Sequence, residues 1–453
     1  MLLHVPASLD GLLSLLVPCF SQPTFHTFRA MVVGQISQTQ LRTVTGMLVG
    51  SRLSAVWHHA RAHRFFSHAR WSVQELGLKL ADLIVERLLD PDAPLVVPVD
   101  DTLLRRRGRK VFGSGWHHDA TANSQRSAVA WGNNWVTAGI NVKLPFLERT
   151  VCLLVLFRLW RPRRKEIAKG KPDPLRPSKP QLAREMLCLL AARFQQRMIH
   201  MVGDAAYASG AFANLPENVT ITSRLRSDAA LNELAPPRPP VGQRKRGRPP
   251  KKGPRLPKLQ AIATDPATRW VKTTVRRYGK TEQVMVHALH CLWYEAFGSQ
   301  PVQVVLIQHA TKPSGYELAI VSTDLKATAA ELIERYAQRW PTEVAYEEGK
   351  HLFGVGEARN RAEKAVQRTV PFQFLTMTLT ILWYSLSGHH PEDVEEHRQH
   401  RPWYLSKTNP SFADMLAKLR RVIIAYQFHP GQGCAPKPAE ITQVQQAWAA
   451  AGL

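Results

Sequence analysis

The chain has 453 residues, more than one core usually serves, so two or three structural units are expected. Hydrophobic residues make up 44%, which excludes a wholly disordered chain. Lysine and arginine number 60 against 35 acids, an excess that asks for a polyanionic partner, with nucleic acid favoured over an anionic membrane surface.

Residues 1–90 read as a helical, DNA-binding unit rich in Arg and His. The opening stretch, MLLHVPASLDGLLSLLVPCF, has no Lys or Arg before its apolar run, and Asp10 precedes that run. It reads as a packed helix rather than a secretion signal. In WHHARAHRFFSHARW, His59 and His63 stand four apart, as zinc ligands on a helix can, with His58 and His68 nearby. No acid or cysteine lies close to them in sequence, so a solvated or DNA-facing helix is the simpler account. Cys19, Cys152, Cys188, Cys291 and Cys434 form no C-x-x-C pair, which fits a reducing cytosol.

A first strand, APLVVPVDD, is expected to end at Asp100 and Asp101. A basic stretch follows, LLRRRGRK, with Arg105, Arg106 and Arg107, and then a loop rich in Gly, His and Asn up to Asn134. WVTAGINVKLPF and VCLLVLFRLW read as strands, PQLAREMLCLLAARFQQ as a helix, and MIHMVGD as a further strand ending at Asp204. The order β-β-β-α-β, with acids at two strand ends, is what a ribonuclease-H-like α/β core would give over residues 91–225.

Residues 226–322 read as an insertion. Its first part, 235–258, is basic and proline-rich with no acid, so it cannot bury a core and should be mobile. Arg246 and Arg248 lie there in RGRPP, the Arg-Gly-Arg-Pro core of an AT-hook. Such arginines either enter a narrow minor groove or attract phosphate without sequence preference. Four strand-like runs follow between Arg269 and Ser322.

Residues 323–390 should hold two helices. Thr328 and Glu331 form a capping box, so a helix is expected from about Ala329. At helical spacing Tyr336, Arg339, Glu343 and Lys350 share a stripe about 60° wide, with Glu347 at its edge and Glu348 well away. Pro341 predicts a break, with a fresh helix carrying that proline in its first turn. Such a face is either a solvated set of weak ion pairs or a carboxylate for metal flanked by cations for phosphate. The apolar run from Val370 to Leu386 is short for a bilayer span and reads as a buried helix, which leaves no membrane segment. Residues 391–453 form a C-terminal segment.

The spacing Tyr336, Arg339, Glu343, Lys350 resembles the Tyr-Arg-Glu-Lys signature of one group of bacterial insertion-sequence DDE transposases. VDDT and GDAAY, each at the end of a strand, and the β-rich insertion before the glutamate helix resemble that group as well, over roughly residues 90–390. Ala206, where glycine is frequent, and Pro341 depart from its common usage. The resemblance implies an endonuclease and strand transferase acting on double-stranded DNA at the ends of its own element, a homodimer in the DNA complex, cytoplasmic and nucleoid-associated. It implies Asp101, Asp204 and Glu343 as catalytic metal ligands, the aspartate directly before the threonine being favoured and Asp100 being the alternative. Two-metal phosphodiester chemistry needs hard oxygen ligands around ions about 4 Å apart, which suits Mg²⁺ or Mn²⁺. Tyr336, Arg339, Lys350, Arg105 and Arg107, with Arg246 and Arg248, would then contact DNA. Strand alternation allows only one of Asp100 and Asp101 at the metal. The other is expected to pair with the following turn or with Arg105, Arg106 or Arg107.

Overall fold

A computed structural model describes residues 3–119, 128–162, 173, 176–237, 250–309, 315–401 and 403–428. Arg246 and Arg248 lie outside the described residues. The chain opens with five helices: α1 (Ala7–Ser14), α2 (Gln22–Ser37), α3 (Val44–Gly50), α4 (His59–Ser67) and α5 (Val73–Leu88). Leu9, Leu12 and Leu13 of α1 are buried, as a packed helix requires. Strands β1 (Leu95–Arg105), β2 (Gly115–His118), β3 (Val129–Lys143) and β4 (Thr150–Trp160) follow, then α6 (Lys179–Arg193), β5 (Ile199–Gly203) and β6 (Val219–Arg224).

After β6 come α7 (Leu259–Thr264), β7 (Val271–Arg277), β8 (Lys280–Leu292), α8 (Tyr294–Phe297), β9 (Pro301–His309) and β10 (Leu318–Ser322). The chain then forms α9 (Ala329–Ala337), α10 (Trp340–His351), α11 (Glu363–Trp383), α12 (Asp393–His400) and α13 (Phe412–Phe428). The strands make one mixed sheet in the order β2-β3-β1-β5-β6-β10-β9-β8-β7, with β4 also paired to β3. β3 is antiparallel to β1 and to β4, whereas β5 is parallel to β1 and to β6. This mixed α/β arrangement is consistent with a ribonuclease-H-like nuclease fold.

Strand β1 runs past the two aspartates to Arg105 rather than ending at them, because Val99–Arg105 pairs with β3. The parallel ladder with β5 stops earlier, at Pro98 and Val202. Asp100 and Asp101 therefore stand where β5 leaves β1. Strand β6, with no alternating apolar run long enough to mark it in sequence, lies beside β5 and links it to β10.

The helices of residues 1–90 do not close a core of their own. Phe28, Phe65 and Phe66 meet Phe372 of α11 edge to face. Gln35 donates to the Phe353 carbonyl, and Arg368 of α11 donates to the carbonyls of Ala69 and Trp71. Nearly every side chain of α11 is buried, and among the described residues no helix is long and apolar enough to cross a membrane.

Not all of 235–258 is free of structure. The Glu233 N–H donates to the Pro254 carbonyl, Arg255 bridges to Asn232, and the Leu256 N–H donates to the Leu231 carbonyl. Leu256 also packs against the main core, which supplies the apolar contact that composition alone did not foresee.

Candidate active site

The capping box at Thr328 and Glu331 forms, and α9 begins at Ala329. The helix stops at Ala337, and α10 restarts at Trp340 with Pro341 in its first turn, where no N–H is needed. Three contacts fix α10 and its entry on the sheet. Thr137 of β3 and Tyr346 share a buried hydrogen bond of 2.6 Å, Thr342 donates to Cys152 of β4, and Asn141 donates to the Gln338 carbonyl. Gly349 lies against the Phe374 ring, 2.7 Å from where a Cβ would sit, so only glycine lets α10 approach α11 this closely.

These contacts bring Glu343 to Asp100. Arg339 Nη1 donates to Asp100 Oδ2 at 3.2 Å and also to Glu343 Oε1, so one cation lies between two carboxylates. Asp204 directly follows the last residue of β5, two residues beyond Val202, the partner of Pro98, and its charge acts on Asp100. Its own Oδ1 accepts from the Ala206 N–H, and Ser223 donates to its carbonyl.

Asp101 points the other way, to the face carrying α6. Lys179 Nζ donates to its Oδ2 at 2.6 Å, Asn134 Nδ2 to the same oxygen at 3.0 Å, and Tyr207 to Oδ1 at 3.2 Å. Asp100 finds its partner in Arg339 and in the Asp101 N–H, at 2.8 Å, and not in the arginines that follow β1. Arg105 pairs with Asp119, Arg106 donates to Asn133 and to the carbonyls of Gly356 and Ala358, and Arg107 is exposed.

Burial pushes the Asp100 carboxyl up to about 7, and Asp101 and Asp204 add to the rise while Arg339 and the Asp101 N–H oppose it. Burial disfavours the Arg339 cation, but the hydrogen bond and charge of Glu343, with Asp100, outweigh it and raise its pKa. Tyr336 packs with Leu332, Ile333 and Val275, and burial raises its phenol. Lys350 is half-buried, 6.0 Å from the Tyr346 ring. Burial lowers its pKa, with Asp119 opposing and Arg105 adding to the effect.

Among the described residues no three His, Cys, Asp or Glu side chains stand close enough together to hold an ion, and the histidines of α4 are included in that statement. The donors at Asp100 and Glu343 nevertheless suit a hard divalent cation. They are carboxylate oxygens, that of Asp100 half-buried, and a guanidinium already sits between them as a cation.

Lys179, Asn134, Tyr207 and Tyr346 were not singled out from the sequence. Lys179 left a legible signal: it directly follows the N-cap Ser178, inside the Ser178–Gln181 capping box, where the helix dipole disfavours a cation unless an acid faces it.

The family model for DDE superfamily endonucleases matches residues 15–290, more than half of the chain, and the chain belongs to that family. The match includes Asp100, Asp101 and Asp204 and ends before Glu343. No curated protein matches the chain. Members of such a family cleave DNA, generally with divalent metal ions.

Proposed function

We propose that the chain is a DNA transposase of the Tyr-Arg-Glu-Lys group, cleaving and rejoining DNA at the ends of its insertion sequence. The observation that carries this reading is the Arg339 guanidinium held jointly by Asp100 and Glu343, with Asp204 directly after the adjoining parallel strand. A ribonuclease-H-like core would then span 91–225 and 323–390, with 226–322 as a β-rich insertion that continues its sheet and 1–90 as a helical DNA-binding unit. Residues 391–453 would form a C-terminal segment, with α12 and α13 in its described part.

Asp100, Asp204 and Glu343 would hold Mg²⁺ or Mn²⁺, and Asp101 would orient β1 from the opposite face. Two bound ions would supply an activated nucleophile and stabilise the leaving oxygen in line. Arg339 and Lys350 then contribute N–H donors to DNA phosphate, Arg339 by a fork and Lys350 as a point charge. Arg105 at the end of β1 and Arg107 just after it extend this basic edge, and Arg246 and Arg248 supply charge from the proline-rich segment. Tyr336 positions Arg339 from the core below. Action on double-stranded DNA as a homodimer in the cytoplasm follows from the same reading.

The test is Mg²⁺-dependent cleavage and strand transfer on a duplex carrying the DNA that borders the gene. Cleavage with joined product supports transposition. Cleavage without joining would leave a nuclease, and cleavage that persists in both Glu343→Gln and Asp204→Asn would remove the assignment of the acids.

A further inference from the structure

A groove of about 1480 Å³ runs along one flank of α10, between the turn joining β7 to β8 and the chain from Arg401 to Arg421. Trp340 lines it, and at helical spacing Glu343 is about 60° away around α10. The groove thus opens beside the acids without including them. Tyr278, Trp340, Trp403 and Tyr404 all line it, with 60%, 50%, 81% and 52% of their surfaces exposed. Four exposed rings in one concavity are unfavourable for an isolated protein, since each forfeits the free energy of burial.

Tyr278 adds an independent observation. It occupies the tip of the β7–β8 hairpin with φ +53°, followed by Gly279 at φ +77°. A two-residue turn with both φ values positive favours Asn, Asp or Gly at the first position, and a bulky ring there stores backbone strain. That strain brings no core packing. The ring stands edge-on to Trp340 with centroids 6.4 Å apart, facing the groove.

The walls between the rings are basic. Lys143, Arg149, Arg276, Arg401, Lys407, Lys418 and Arg421 line the groove against four acids, Glu148, Glu334, Asp393 and Asp414, so its walls carry an excess of cations. Asp393 and Asp414 are engaged by Lys418 and Lys407, Glu334 accepts from the Arg276 N–H, and Arg149 also pairs with Glu348. Cations that track a backbone, interleaved with aromatic faces, match a polyanion whose flat bases are uncovered. A duplex conceals those faces and an unpaired strand presents them.

We propose that this groove binds an unpaired DNA strand, its bases stacked on Tyr278, Trp340, Trp403 and Tyr404 and its phosphates on the basic walls. The identity of the polyanion as DNA rests on the function proposed above. The groove would hold the strand released beside the acids when a duplex end is opened.

The experiment is fluorescence anisotropy of the full chain without metal, using a labelled oligothymidylate of about 12 nucleotides and a duplex of equal length. The Trp403→Ala/Tyr404→Ala protein should bind the oligothymidylate about tenfold more weakly, with duplex affinity changed less than about twofold. Tyr278→Gly removes a ring while relieving the strained turn, so it should fold and lose affinity for the oligothymidylate in the same direction. Unchanged affinity in both variants, or an equal loss on duplex, overturns the proposal. So does an assembly of copies that dissociates in the Trp403→Ala/Tyr404→Ala protein, because the groove would then be a contact between chains. Glu343→Gln should bind the oligothymidylate normally while losing cleavage. If it binds normally and still cleaves, the acid assignment fails and the groove stands.

Discussion

Asp100 and Asp101 are adjacent, chemically identical and about equally shielded, yet β1 gives them opposite surroundings. Asp100 looks toward α10, where its partner is an arginine that a second carboxylate also claims. Asp101 looks toward α6, where a lysine, an amide and a phenol saturate it. An acid whose cation is shared can exchange that cation for another. One held by three donors is fixed in place. Position along a strand therefore sets chemistry through the face that a residue presents.

The sharpest way to break this comparison is to neutralise each acid in turn. Asp100→Asn should lower single-turnover cleavage by about a thousandfold or more, because an amide cannot balance divalent charge. Asp101→Asn should retain measurable cleavage. Full cleavage in Asp100→Asn together with none in Asp101→Asn would reverse the roles of the two faces, as the transposase signature taken alone suggests. Asp204→Asn and Glu343→Gln belong with Asp100 and should match its loss while circular dichroism stays that of the wild type.

The Asp101 face should instead show itself in stability. Lys179→Met leaves a half-buried carboxylate without its cation and should cost roughly 1–3 kcal/mol in urea unfolding, discounted for partial solvent access. Adding Asp101→Asn to Lys179→Met should recover part of that loss. Additive losses in the double variant would mean that the ion pair contributes nothing.

A smaller effect lies further along the same sheet. Burial, followed by the charge of Arg335, lowers His200 to about 4, with Asp324 and Glu331 opposing. The unfolded chain takes up this proton near the ordinary value of 6.5 and the folded chain only near 4. Stability from neutral His200 is therefore complete above pH 6.5 and is lost as pH falls through the window down to about 4. His200→Gln should lose less stability than the wild type between about pH 7 and pH 5 in denaturant titrations. Equal losses would place the acid sensitivity elsewhere.

The smallest expected effect concerns residues 238–249. Joining the chain across them should leave the fold unchanged, because the pairing of Glu233 with Pro254 already closes the base of this excursion. It should also flatten the salt dependence of DNA binding, by about one unit of slope for each phosphate contact removed. An unaltered slope would show that Arg246 and Arg248 do not touch DNA.

Much of the local structure was legible in the sequence because its causes are local. Thr328 and Glu331 announced the start of α9, Pro341 announced the restart at α10, and the apolar run from Val370 announced a buried helix. Strand periodicity located β7 to β10, and charge balance pointed to a polyanion. The extent of β1 was not legible, since Thr102–Arg105 became strand only through pairing with β3, a partner about thirty residues away.

Sequence spacing also determined that Arg339 and Glu343 would stand one helical turn apart, because a helix repeats whatever surrounds it. It could not determine which aspartate they would meet. That depended on which face of the sheet α10 covers, a choice made by Thr137, Tyr346, Thr342 and Cys152 across three elements distant in the chain. Alternation along β1 is encoded residue by residue, but the two faces it creates are equivalent until packing distinguishes them. Tertiary structure alone put α10 on one face and α6 on the other, and so gave two neighbouring aspartates different partners.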